Sequence, residues 1–189
     1  MDPSATLRHL VELAGTSDLA RDVLLQRVRD MAVRYARARL GRFGAEDAAQ
    51  DVAQEVCMAV LTALPAYEDR GLPFEAFVYT IAARKLADAQ RSAMRSATPV
   101  GELPDGVDPD HGPEATAVLR DEAGLAFALM ERLPAQQREI ITLRVAVGFS
   151  TEETAAALGM TPGAVRVAQH RGLAKLRSLL GALEDGVVA

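Results

Sequence analysis

The stretch Ser150-Thr-Glu-Glu-Thr-Ala-Ala-Ala-Leu-Gly-Met-Thr-Pro-Gly-Ala-Val-Arg-Val-Ala-Gln-His-Arg171 packs two helix starts and one helix stop into a few turns of chain. Ser150-Thr-Glu-Glu153 spells a capping box, in which the Ser hydroxyl accepts the amide three residues on and Glu153 reaches back. The helix it opens is short, because Leu158-Gly159 ends it. Thr161 then caps a new helix with Pro162 at its first position, where a missing N–H costs nothing. A short capped helix, a Gly-containing turn and a longer basic helix make a helix-turn-helix. The second helix of such a unit fits the width of the DNA major groove.

On that second helix Val165, Ala168/Gln169, Leu173, Leu176 and Leu180 are expected to face the core, and Arg166, Val167, His170 and Arg171 the other side. Arginine can fork onto guanine or phosphate, and valine can meet a thymine methyl. Lys175 and Arg177 suit phosphate contacts, which position without specifying. Thr161, Gly163 and Ala164 belong to the helix N-terminus, whose free amides favour phosphate. A surface helix merely decorated with arginine is the plainer alternative, and the double capping weighs against it.

Working outward, residues Arg95 to Pro113 are rich in Pro, Gly and Asp and read as a linker. Before it the pattern predicts three main helices, preceded by a short one over 4–13: Asp18 to Arg39, stopped by Gly41 and Gly44; Glu46 to Leu64, ended by Pro65; and Pro73 to Arg95. Phe74, Phe77, Val78, Ile81, Ala82, Leu86 and Ala89 form the buried stripe of the third, with Thr80, Arg84, Asp88, Arg91 and Arg95 opposite. After the linker come helices over 115–132 and from Pro134 to Gly148. No strand pattern occurs, so the fold expected is all-α, as two small helical domains (1–95 and 115–183) joined by an acidic linker (96–114), with a tail (184–189).

The formal net charge of −5 on 189 residues argues against nucleic acid until its distribution is read. Glu102, Asp105, Asp108, Asp110 and Glu114 lie in the linker with no cation among them, an excess equal to that of the whole chain. From Thr154 through Leu183 there is no acid, while Arg166, Arg171, Lys175 and Arg177 accumulate. Local potential, not net charge, decides DNA binding. No stretch approaches the roughly 20 apolar residues that a bilayer span needs. The opening Met1-Asp2-Pro3-Ser4 lacks the order of a signal peptide. A single cysteine, Cys57, forbids an internal disulfide. A cytoplasmic protein without membrane insertion is expected.

Two further clusters invite a function. Asp47, Asp51 and Glu55, with Gln50 and Gln54 alongside, share one face of the second helix. Such a row is a solvated face, a docking face for a basic partner, or, least in keeping with only three histidines, part of a metal site. The loop Tyr67-Glu-Asp-Arg-Gly-Leu-Pro73 precedes aromatics beside a basic helix, which suits stacking of single-stranded bases. Most of these aromatics fit the core; Tyr67 and Tyr79 remain open candidates. No catalytic triad, P-loop or dinucleotide motif is present, so neither an enzyme nor a cofactor is expected.

Several pieces resemble one family in order and spacing: Asp51-Val-Ala-Gln-Glu-Val56; Phe74-Glu-Ala-Phe-Val-Tyr-Thr-Ile-Ala-Ala-Arg-Lys-Leu-Ala-Asp88; Leu133-Pro-Ala-Gln-Gln-Arg138; Leu143-Arg144; Gly148-Phe-Ser150; and Gly163-Ala-Val-Arg-Val-Ala-Gln-His-Arg171. They are similar to the extracytoplasmic-function sigma factors of bacterial RNA polymerase, and the last piece resembles an actinobacterial subgroup. The resemblance implies that Asp47, Asp51, Gln54 and Glu55 face the clamp helices of the polymerase large subunit, whose flap is a second contact. It implies that Tyr67, Asp69, Arg70, Tyr79, Arg84, Lys85, Asp88 and Arg91 hold the melted −10 strand, with a base flipped into a loop pocket. Thr161, Gly163, Ala164, Arg166, Val167, His170, Arg171 and Lys175 would read the −35 element, and the linker would run through the RNA exit path. Many relatives are controlled by an anti-sigma protein. The family usually carries Trp where Phe77 stands, Asn where Lys85 stands, and a different recognition face from Arg166-Val167-Ala168. The competing readings are a polymerase-independent helix-turn-helix regulator, which would need a sensor site in the first half, and a helical metalloenzyme.

Overall fold

The computed structural model describes residues 3–40, 45–96, 113–184 and 186. The described residues form helices and turns without strands: α1 (Pro3–Ala14), α2 (Asp18–Leu40), α3 (Ala45–Ala63), α4 (Phe74–Ser96), α5 (Pro113–Glu131), α6 (Ala135–Ile141), α7 (Thr151–Leu158) and α8 (Pro162–Glu184). The central part of the expected linker, 97–112, and the expected stop at Gly41 and Gly44 lie outside the described residues.

Local chemistry sets the helix ends. Ser17 Oγ accepts the Ala20 amide at 3.3 Å, and Asp18 sits in the first turn of α2, where the helix dipole favours a negative charge. Pro65 lies in a single 3-10 turn, Leu64–Ala66, that finishes α3. Asp69 Oδ1 accepts the Gly71 amide at 2.8 Å and folds the loop back before α4, with Gly71 at φ 76°. Both bonds of the capping box at Ser150 form, and Thr161 Oγ1 accepts the Ala164 amide at 3.2 Å.

The helix expected from Pro134 to Gly148 is not uniform. Pro134 caps it from outside, α6 ends at Ile141, and Thr142–Val147 widen into a π-helical segment that Gly148 closes in the left-handed region at φ 92°. The extra residue in that turn rotates the register, so that Thr142, Leu143 and Val147 are all buried.

Leu24, Val28, Val56, Val60 and Val78 are fully buried between α2, α3 and α4. Leu143, Val147 and Phe149 from beyond the linker join this same core. The helix-turn-helix has a smaller cluster of its own, Ile140, Ala155 and Val165. There α8 crosses α6 at Gly172, where a Cβ would come within 2.7 Å of Ile141 Cδ1, so a larger residue would require that side chain to shift. Of the α8 leucines expected to face the core, Leu173 and Leu176 are half-buried and only Leu180 is exposed. All three line an open apolar trough of about 740 Å³ with Phe127, Met130 and Ile141, and Leu180 stays 42 % exposed.

Candidate polymerase and nucleic-acid interfaces

Helix α3 turns Ala49, Val52, Ala53, Val56 and Val60 inward, and this leaves Asp47, Asp51, Gln54 and Glu55 together on its exposed face. Helical spacing carries the same face on to Met58 and Leu61, which are 62 % and 43 % exposed. Sequence reasoning misses these two because, read alone, they pass for core residues; their offset from Gln54 and Glu55 is the available signal. Glu55 pairs with Lys85 of α4 at 3.0 Å, so the acidic row touches the basic face of the neighbouring helix. Glu46, just off this face, pairs with Arg37 of α2, and the Arg37 hydrogen bond holds its carboxyl below the ordinary range.

The loop before α4 is built on aromatic packing. Tyr67 meets Phe74 edge-on at 5.1 Å and Phe77 at 5.0 Å between ring centroids. Burial, and after it the charge of Asp69, pushes the Tyr67 hydroxyl up. Asp69 is tied to Arg8 of α1 at 2.9 Å, while Arg70, largely exposed, lies 3.6 Å from Glu68. Tyr67, Arg70, Leu72, Phe77 and Thr80 line a cavity of about 480 Å³ whose far wall includes Ala156 of α7. It has the size and the mixed aromatic and polar lining that an unstacked base requires. Phe77 and Thr80 are not among the expected site residues, since Phe77 also satisfies the core stripe. Arg84, Asp88 and Arg91 are exposed along α4, with Asp88 and Arg91 paired to each other.

Tyr79 is not brought to this cavity. Its hydroxyl donates to Glu139 Oε1 of α6 at 2.9 Å, and Tyr35 of α2 donates to the same oxygen at 2.7 Å. The two rings meet edge-on at 5.6 Å. Burial raises both hydroxyls well above the usual tyrosine value, and the Glu139 charge adds to the shift.

On α8, Gly163, Ala164, Arg166, Val167, His170, Arg171 and Lys175 are all exposed, while Val165 and Gly172 are buried on the other side. Thr161 is exposed at the cap. Arg166 reaches Glu152 of α7 at 3.4 Å. Val167, 51 % exposed, is available to an apolar partner such as a thymine methyl. Arg144 braces the helix from behind: its Nε donates to Gln169 at 3.1 Å and its guanidinium also donates to the Phe149 carbonyl. The helical pattern puts Gln169 on the core side without a partner, and only the fold brings Arg144 to it.

Among the described residues no three His, Cys, Asp or Glu side chains group as a metal site. Cys57 is half-buried with its thiol pushed up by burial. No helix of the described residues is long and apolar enough to cross a membrane.

Comparison with known proteins agrees with this geometry. Residues 24–96 match the family profile of sigma-70 region 2, and residues 125–176 that of sigma-70 region 4. The chain is 50 % identical to the ECF RNA polymerase sigma factor ShbA of Streptomyces griseus over 185 residues, covering 94 % of this chain and 97 % of the relative. It is 52 % identical to the ECF RNA polymerase sigma factor SigD of Mycobacterium tuberculosis over 175 residues, covering 92 % and 82 %. Among solved structures, CnrH in complex with the cytosolic domain of CnrY superposes with a TM-score of 0.67 at 26 % identity, over 94 % of this chain and 98 % of that one. Two sigma domains in order, an acidic α3 face in the first and a braced recognition helix in the second place this chain in the extracytoplasmic-function family of RNA polymerase sigma factors, which direct promoter-specific transcription initiation.

Proposed function

We propose that each of the three surfaces has one task in initiation. The α3 face, Asp47, Asp51, Gln54 and Glu55 extended by Met58 and Leu61, docks on the basic clamp helices of the polymerase large subunit, with the flap as contact for the second domain. The loop cavity at Tyr67, Arg70, Phe77 and Thr80 takes a flipped base of the −10 strand. Arg84, Lys85, Asp88 and Arg91 track its backbone, the cations attracting phosphate and Asp88 holding Arg91 in place. Asp69 shapes the loop through Gly71 and Arg8. Arg166, Val167, His170 and Arg171 read −35 base edges, while Lys175 and the amides at Thr161, Gly163 and Ala164 hold phosphate.

The division at 1–95, 96–114, 115–183 and 184–189 follows from these tasks, with the acidic 96–114 segment passing through the RNA exit path. The chain acts in the cytoplasm as a non-enzymatic subunit. An anti-sigma protein is a further partner on this reading, as NepR is for the sigma factor RpoE of Bartonella quintana. The observation that carries the proposal is the exposure on one chain of an acidic docking row and a basic reading helix on separate domains.

Transcription in vitro from a library of genomic fragments, with purified core polymerase and with or without this chain, tests it. New start sites sharing two upstream elements are expected only in its presence. Identical transcripts in both reactions overturn the proposal.

A further inference from the structure

The two domains lie against each other here, with α7 of the helix-turn-helix beside the loop cavity of the first domain while the α8 face stays exposed. Ala156 of the helix-turn-helix forms part of the wall of the loop cavity in the first domain. Leu143, Val147 and Phe149 are buried in the first domain's core. Yet elements centred near −10 and −35 lie on the order of 80 Å apart along B-form DNA, which rises about 3.4 Å per base pair. One chain cannot read both in this arrangement, so promoter engagement requires the second domain to leave the first.

What would hold them together is specific. Glu139 of α6 projects between α2 and α4, only 15 % exposed, and one of its oxygens accepts both tyrosine hydroxyls. Its other oxygen lies 3.7 Å from Arg39 Nε. Every donor is on the first domain and the acceptor is on the second. On separation all of these groups regain water, so the net preference is modest: it poises an equilibrium and does not lock it.

We propose that Tyr35, Tyr79 and Glu139 form an intramolecular clasp that keeps the free chain closed, with α7 laid over the −10 cavity, until docking on core polymerase opens it. The acidic row on α3 stays exposed in the closed form, so docking through it can precede opening. This inference rests on the proposed site roles, and it concerns the regulation of that same cavity. A closed population lowers the apparent affinity for whatever needs the open form by the open fraction.

The test uses the full chain with Tyr35→Phe and Tyr79→Phe together. This keeps both rings and leaves the Glu139 carboxylate without its hydroxyl donors only when the chain is closed. Ala156→Gln, which crowds the cavity wall without touching the clasp, serves as a second variant. Small-angle X-ray scattering of the free wild-type chain is expected near the radius of gyration of a compact body of this length, about 16 Å. Both variants should be larger, with unchanged helix content by circular dichroism. On the strongest template from the library above, the variant concentration giving half-maximal transcript should fall about tenfold, the size expected for losing bonds to a buried charge, with the plateau preserved. Variants as compact as wild type overturn the clasp whatever the transcription result. Absence of any transcript from wild type and variants alike overturns the sigma-factor roles, and the scattering result still decides the clasp.

Discussion

The two halves of the chain bury themselves differently. The first closes a core between long helices with its own side chains, Leu24, Val28, Val56, Val60 and Val78. Among the described residues the second has a small cluster of its own, Ile140, Ala155 and Val165, with Leu129, Leu133 and Ile141 also buried; it lends Leu143, Val147 and Phe149 to the other half and leaves an apolar trough along α8. The contrast repeats at the surface, where the first half offers a carboxylate row on α3 and the second a basic helix held by caps and by Arg144. A module with a small core relies on termini and braces for rigidity, whereas one with a large core can give its surface over to a partner.

The largest expected effect breaks the division of labour itself. Asp51→Arg with Glu55→Arg should abolish co-purification with core polymerase while circular dichroism stays unchanged, because both side chains are exposed and like charges then face each other. Normal pull-down by the double variant removes α3 from the docking role. Next comes the small core. Ile140→Ala should cost the second half about 3 kcal/mol by transfer and cavity terms, lowering its calorimetric transition further than that of the first half, whose core is mostly its own side chains. Loss of both transitions together would mean that the halves fold as one unit.

Arg171→Ala should weaken binding of a −35 duplex by about 1–3 kcal/mol if it reads a base. As a phosphate contact alone it should instead reduce the salt slope by about 1. An unaltered affinity across a salt series removes Arg171 from the interface. The smallest effect sharpens the role of the caps: Ser150→Ala should lower stability of the helix-turn-helix by about 1 kcal/mol, read in its urea midpoint. No shift there would mean that tertiary packing alone sets the start of α7.

Much of this is legible in the amino-acid sequence. The capping box at Ser150, the Thr161-Pro162 start, the amphipathic stripe of α4 and the acidic face of α3 are each set by residues within one or two turns of one another, so local periodicity and hydrogen bonding suffice to read them. Met58, Leu61, Phe77 and Thr80 are harder, since an apolar or small polar residue at helical spacing looks the same whether it meets the core or a partner. The roles of Tyr79, Glu139 and Arg144 cannot be read at all, because their partners lie on other helices.

The sequence by itself determined most of the helices, the caps at Ser150 and Thr161 and the sign of charge on each face, all through interactions a few residues apart. Tertiary structure alone decided that Tyr35 and Tyr79 share Glu139, that α8 meets Ile141 at Gly172, and that α7 lies at the cavity beside Tyr67 and Phe77. Those outcomes depend on which buried surfaces meet across the linker, and docking of apolar surface is non-directional, so no pattern along the chain encodes it.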